Sequence, residues 1–129
     1  MDKLQYKIYH ENKTHTPDDF PYNTYLCSIP LDFKSVNLHW HDEVEIIVIK
    51  KGTGIVSVDL TTYSVSAGDI IFVLPGQLHA ISQKDREIME YENILFKSSL
   101  LKSSGYDLCS DKFIQPLFSG SLNICPVIN

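Results

Sequence analysis

His39, His41 and Glu45 lie close together in the stretch NLHWHDEVEIIVIKKGTG, residues 37–54, and His79 follows a proline-glycine turn further on. Side chains alternate between the faces of a strand, so odd positions from 39 to 49 share one face. That groups His39, His41, Glu45, Ile47 and Ile49, with Trp40, Val44, Ile46 and Val48 opposite; a bulge near Asp42 would change the phase. With the phase intact, two imidazoles and a carboxylate line the mouth of a barrel whose deeper wall is aliphatic, and His79 closes the set. Three neutral imidazoles and a carboxylate suit a divalent first-row metal (Zn, Ni, Fe or Mn) at roughly 2.0–2.2 Å, with one or two positions left open. Such a centre supports Lewis-acid chemistry or oxygen activation. Without a metal, the same residues are polar pocket groups, with Glu45 pairing a protonated histidine and orienting a polar ligand.

The elements that must position these residues read as short strands between turn residues, the pattern of an all-β sandwich or barrel. LQYKIY, residues 4–9, reads as a first strand, and the polar stretch from His10 to Tyr22 as an exposed arm that is either disordered or folded over the barrel mouth. YNTYLCSIP, VNLHWH and VEIIVIKKG follow. GIVSVD and TTYSVS flank Leu60 as a hairpin whose register the sequence leaves open. AGDIIFVLPG, LHAIS and EIMEYENILFK complete the strands. Gly52, Gly68 and Gly76 are expected in turns that need a positive φ. Tyr63, Phe72 and Tyr91 fall in strands as core or pocket wall; Tyr63 and Phe72 join the four polar residues as expected ligand-binding positions. Trp40 is suited to stacking on a sugar or aromatic compound, but alternation turns it away from the imidazoles, so it is expected to pack between sheets. After Lys97 the character changes, and Cys109–Phe118 reads as a short helical segment capped by Ser110 and Asp111.

At 129 residues, the chain fits one domain. Its 43% hydrophobic and 21% charged residues are those of an ordinary globular domain. A net charge of −5 leaves no basic footprint for gripping phosphates. Cys27, Cys109 and Cys125 are odd in number, widely spaced and without a CxxC pair, which points to reduced thiols. No signal peptide or membrane-spanning run is visible, so a cytoplasmic location and no membrane partner are expected. The closing SLNICPVIN stops on an apolar patch, and Asn129 reads as a truncation point in a longer chain.

HWHDEVEIIVIKKG resembles the first cupin motif, HxHxxxE followed by Gly52, and GDIIFVLPGQLHAIS resembles the second, with Gly68, Gly76 and His79 in order. The resemblance makes His39, His41, Glu45 and His79 the metal ligands. Phe33, Leu74 and Gln83 depart from the usual glycine, proline and asparagine, which affects turns and packing rather than ligation. From about Leu38 to Ile128, through ENILFKSSLL and CSDKFIQPLFSGSLNICPVI, the chain is similar to the N-terminal domain of AraC-type transcriptional regulators.

That resemblance implies a cupin double-stranded β-helix, or jelly-roll barrel, over residues 1–129. Residues 1–22 would form an N-terminal strand and arm, and residues 98–129 a loop and short helix leading to a DNA-binding half. It implies a homodimer that binds a small-molecule effector (a sugar, an organic acid or an aromatic acid) in the barrel. DNA would be bound only through a helix-turn-helix domain outside these residues, and no catalytic residue is assigned. A stand-alone metal-dependent cupin enzyme, an isomerase or dioxygenase, is the rival reading, with Glu43 or Tyr63 as acid or base. A dimerisation module with a dead pocket is the third.

Overall fold

A computed structural model of the chain describes residues 2–11, 22–97 and 125–129. A short helix, α1 (Lys3–Ile8), precedes eight strands: β1 (Tyr22–Ile29), β2 (Ser35–His39), β3 (Glu43–Val58), β4 (Thr61–Ser66), β5 (Ile70–Val73), β6 (His79–Gln83), β7 (Met89–Lys97) and β8 (Val127–Ile128). All strand pairs are antiparallel. The Cys109–Phe118 segment and most of the polar arm lie outside the described residues.

β3 organises the barrel because it belongs to two sheets. Its first half pairs with β5 and β7, in the order β1-β7-β3-β5-β8. Its second half pairs with β4 and β6, and β6 carries β2. In the first half Glu45, Ile47 and Ile49 are buried; in the second, Gly54, Val56 and Val58. The inward set therefore changes from odd to even positions. The register shift between Ile49 and Lys51 produces this change: one extra residue lets Lys50 and Lys51 both face solvent. Both halves thus aim apolar side chains at one core, in which Ile29, Ile47, Ile49, Val56, Val58, Ile71, Val73, Ile81 and Tyr91 pack together.

Gly52 completes the corner at φ +76°, and a Cβ there would stand 1.8 Å from the carbonyl oxygen of Ile88. Gly68 and Gly76 also take positive φ, as their turn positions require. The β3–β4 hairpin has a definite register, Val58 opposite Thr61, closed by Asp59 and Leu60 at φ 52° and 67°. These are the angles of a type I′ turn, which follows the twist of the flanking strands.

Two expectations are corrected here. Residues 4–9 are not a strand: Asp2 caps a helix, accepting a hydrogen bond from Gln5 N at 2.8 Å. Trp40 does not pack between sheets. The chain leaves strand geometry after His39, and Trp40 stacks on Tyr6 of α1 with ring centroids 4.6 Å apart and planes 9° apart. No helix among the described residues is long and apolar enough to cross a membrane.

Replacing Gly52 by alanine forces both a left-handed L-residue and a backbone clash, which should cost about 3 kcal/mol. Urea unfolding of Gly52→Ala checks this; a midpoint equal to that of the unsubstituted protein would contradict the corner assignment.

Candidate functional site

Each imidazole of the site is aimed by the backbone next to it. His39 Nδ1 lies 2.7 Å from Asn37 O, His41 Nδ1 3.1 Å from Glu43 O, and His79 Nδ1 2.9 Å from Gln77 O. A carbonyl only accepts, so each Nδ1 carries the donated proton and each Nε2 is left to face the site. The pairing of β2 with β6 sets His39 directly across from His79. Their ring centroids are 4.1 Å apart, and His41 stands 4.8 Å from His79. The ligand nitrogens of all three histidines lie within 4.8 Å of one another.

Glu45 reaches this cluster from β3, with Oε2 3.3 Å from His79 Nε2 and Oε1 3.9 Å from His41 Nε2. His41, Glu45 and His79 are 2%, 4% and 1% exposed, so their charges interact with little screening by water. Burial pulls His39 and His41 below the ordinary histidine value, and the neighbouring His79 adds to the shift. Burial also opposes charge on Glu45 and His79, but their mutual contact outweighs it. His79 is held above its ordinary value and Glu45 below. Without metal, the Glu45–His79 contact thus favours the charged form of both partners, and burial favours the neutral form of His39 and His41.

These residues fit a divalent first-row metal. Three oriented Nε2 atoms and a carboxylate form a mixed nitrogen–oxygen donor set, and an entering ion would compete with protons for these atoms. His39, His41, His79 and Glu45 would hold it, and it would supply a Lewis-acidic point at the end of the cavity.

The cavity beside the cluster measures about 410 Å³, within the range of small-molecule sites. His39, Glu45 and His79 form one part of its wall; Val36, Ile81, Tyr91 and Leu95 supply the aliphatic and aromatic remainder. Tyr63 and Phe72 are not brought to it. Tyr63, opposite Val56, packs against the core, and Phe72 pairs with Ile46 on β5, away from the cavity lining.

Sequence reasoning missed Glu11, Tyr25, Cys27 and Asn93, all of which line the cavity. On β7, Tyr91, Asn93 and Leu95 share the inward face. Asn93 pairs with Ile47, and Leu95 with Glu45, so the amide sits one inward step from the carboxylate. Its Oδ1 is buried with no hydrogen-bond partner among the described residues. Alternation within EIMEYENILFK could have placed Asn93 beside Tyr91, since a polar residue at an inward position is informative. No local signal marks Glu11, whose placement depends on a long-range bridge.

Several known proteins are similar to this chain. The AraC-like ligand binding domain matches residues 31–122. An uncharacterised HTH-type transcriptional regulator, YdeC of Bacillus subtilis (strain 168), is 29% identical over 72 residues, covering 55% of this chain and 25% of that protein. The matched stretch thus spans about a quarter of that relative. Among solved structures, a cupin protein from Bacteroides fragilis superposes with TM-score 0.57 at 19% identity, covering 84% of this chain and 94% of that one. A predicted oxalate decarboxylase from Thermotoga maritima gives TM-score 0.52 at 26% identity, covering 57% and 64%. The two-sheet architecture is a cupin barrel.

Asn93 carries a desolvated acceptor that an apolar side chain would not. Asn93→Leu should therefore raise the stability of the ligand-free protein by about 1 kcal/mol. Urea denaturation reads this; a destabilised variant would show that the amide is already satisfied within the protein.

Proposed function

Because this chain belongs to the family of AraC-like ligand binding domains, we propose that it is the small-molecule sensor of a transcription regulator. An effector enters the cavity of about 410 Å³ between the histidine cluster and Asn93, and its binding is read out by a helix-turn-helix region outside these residues. The observation that carries the reading is the coincidence of the family match with a preformed cavity whose wall includes an unpartnered buried acceptor. The regulator of Bacillus subtilis supports the link to transcription.

The residues define the effector's chemistry in outline. The described lining contains no Lys or Arg, but it does contain Glu11, Glu45 and the Asn93 amide. A compound that donates hydrogen bonds, such as a sugar, meets acceptors directly. His39, His41, Glu45 and His79 would hold a metal that could supply a positive point for an organic or aromatic acid. Tyr25, Phe33 and Tyr91 offer faces to an aromatic or sugar ring. The regulator would act in the cytoplasm as a homodimer, with DNA contacted only by the helix-turn-helix region. Effector binding controls it only if affinity differs between the two states of the regulator.

A metal-dependent enzyme is the second reading, favoured by the four-residue donor set and the likeness to the predicted oxalate decarboxylase. Turnover of small carboxylic acids by metal-loaded protein, lost in His41→Ala, would select it over the sensor.

A panel of sugars, organic acids and aromatic acids, screened by thermal shift, tests the sensor. A true effector at a hundred times its dissociation constant adds about 2.7 kcal/mol. Val36→Trp, which fills the cavity from its wall, should abolish the shift while leaving a cooperative melt. A shift that survives this substitution would move the binding site out of the barrel.

A further inference from the structure

A second carboxylate reaches the histidine cluster from a part of the chain remote in sequence. Glu11 Oε2 lies 3.0 Å from His39 Nε2, and Glu11 lines the same cavity as Glu45 and His79. The segment bearing it is fixed by several contacts. Trp40 N donates to Tyr9 O at 3.0 Å, Glu11 N donates to Trp40 O at 2.9 Å, and His10 forms a parallel bridge with Trp40. Trp40 stacks with Tyr6, packs against His10 at 4.2 Å between ring centroids, and donates its indole N–H to Tyr6 O at 2.8 Å. Tyr6 in turn donates its hydroxyl proton to Gly76 O at 2.6 Å, in the turn that leads to His79. The Glu11 carboxylate is thereby tied to both histidine-bearing loops.

The distances have the scale of one coordination shell. With Nδ1–H of His39 committed to Asn37 O, Nε2 is the ring nitrogen that faces Glu11, so the contact joins two atoms of types that ligate metals. Two ligands at right angles on bonds of about 2.1 Å stand about 3.0 Å apart, and two opposite ligands about 4.2 Å apart. Glu11 to His39 measures 3.0 Å, Glu45 to His79 3.3 Å and Glu45 to His41 3.9 Å. The three histidine nitrogens, within 4.8 Å of one another, would draw closer around an ion, since at most one pair of three ligands can be opposite.

We propose that Glu11 is a protein ligand of the metal centre, so that five side chains, His39, His41, Glu45, His79 and Glu11, bind a divalent first-row ion. The inference rests on the reading of the first four as a metal site. It adds that an ion joins the N-terminal segment to the barrel. Five protein donors would leave one position of a six-coordinate ion for a ligand in the cavity, and the ion would add a further tie between the barrel and the segment that carries α1.

The test is a calorimetric titration of the whole chain with Zn2+ alone, for the unsubstituted protein, Glu11→Gln and His41→Ala. NMR of protein labelled with 13C at the glutamate carboxyl carbons accompanies it. Glu11→Gln should bind Zn2+ at least about tenfold more weakly, with its metal-free melting temperature unchanged, and His41→Ala should lose binding further. Saturating Zn2+ should move two glutamate carboxyl resonances in the unsubstituted protein, those of Glu11 and Glu45, and one in Glu11→Gln. Equal affinity of the unsubstituted protein and Glu11→Gln, or movement of the Glu45 resonance alone, overturns the role of Glu11 while leaving the four-residue site standing. Unsubstituted protein that binds no Zn2+ overturns both.

Discussion

The buried contact between Glu45 and His79 is the constraint on which the rest of the site depends. The two residues come from different sheets: Glu45 from the half of β3 that pairs with β7, His79 from β6, which pairs with the other half. Their oxygen and nitrogen meet at 3.3 Å with almost no exposure to water. Bringing two ionisable groups into such an environment costs several kcal/mol per ion, and a well-packed apolar pair would serve stability at least as well. Under the proposed function, the pair serves as a binding device rather than as a staple. It holds a carboxylate ionised and sets an imidazole beside it, and His39 and His41 complete the cluster with Nδ1 atoms tied to neighbouring carbonyls.

The position of this cluster is compatible with both of the proposed readings, sensor and enzyme. The polar groups sit at one part of a largely apolar cavity, so a molecule entering it would meet polar groups there and apolar walls elsewhere. In an enzyme such contact polarises a substrate; in a sensor it changes the relative stability of two conformations. Membership of the AraC-like ligand binding domains and the regulator-like relative give weight to the second use. The contact network from Trp40 through Tyr6 to Gly76 supplies a physical route from the cluster to the N-terminal segment.

How much of this was legible in the sequence differs from residue to residue. The spacing of His39, His41 and Glu45 and the turn before His79 marked a site because strand alternation and metal-ligand chemistry both act locally. The inward phase of Glu45, Ile47 and Ile49 followed from the same rule. The register shift between Ile49 and Lys51, where Lys50 and Lys51 both face solvent, was not legible from alternation alone. Alternation places Trp40 between the sheets only if the strand continues through residues 39–43; the chain leaves strand geometry there, and the indole finds Tyr6. Tyr63 and Phe72 fall in strands, where the sequence does not separate core from pocket wall, and register takes them away from the cavity lining. Glu11 and Asn93 could be recognised only after the pairing of distant segments was known.

The measurement that tests the central claim most directly is a crystal structure of the protein grown with a compound that raises its melting temperature. Density for that compound inside the barrel, between His79 and Asn93, is the predicted result. Density on the outer surface, with the cavity unchanged, would contradict the account.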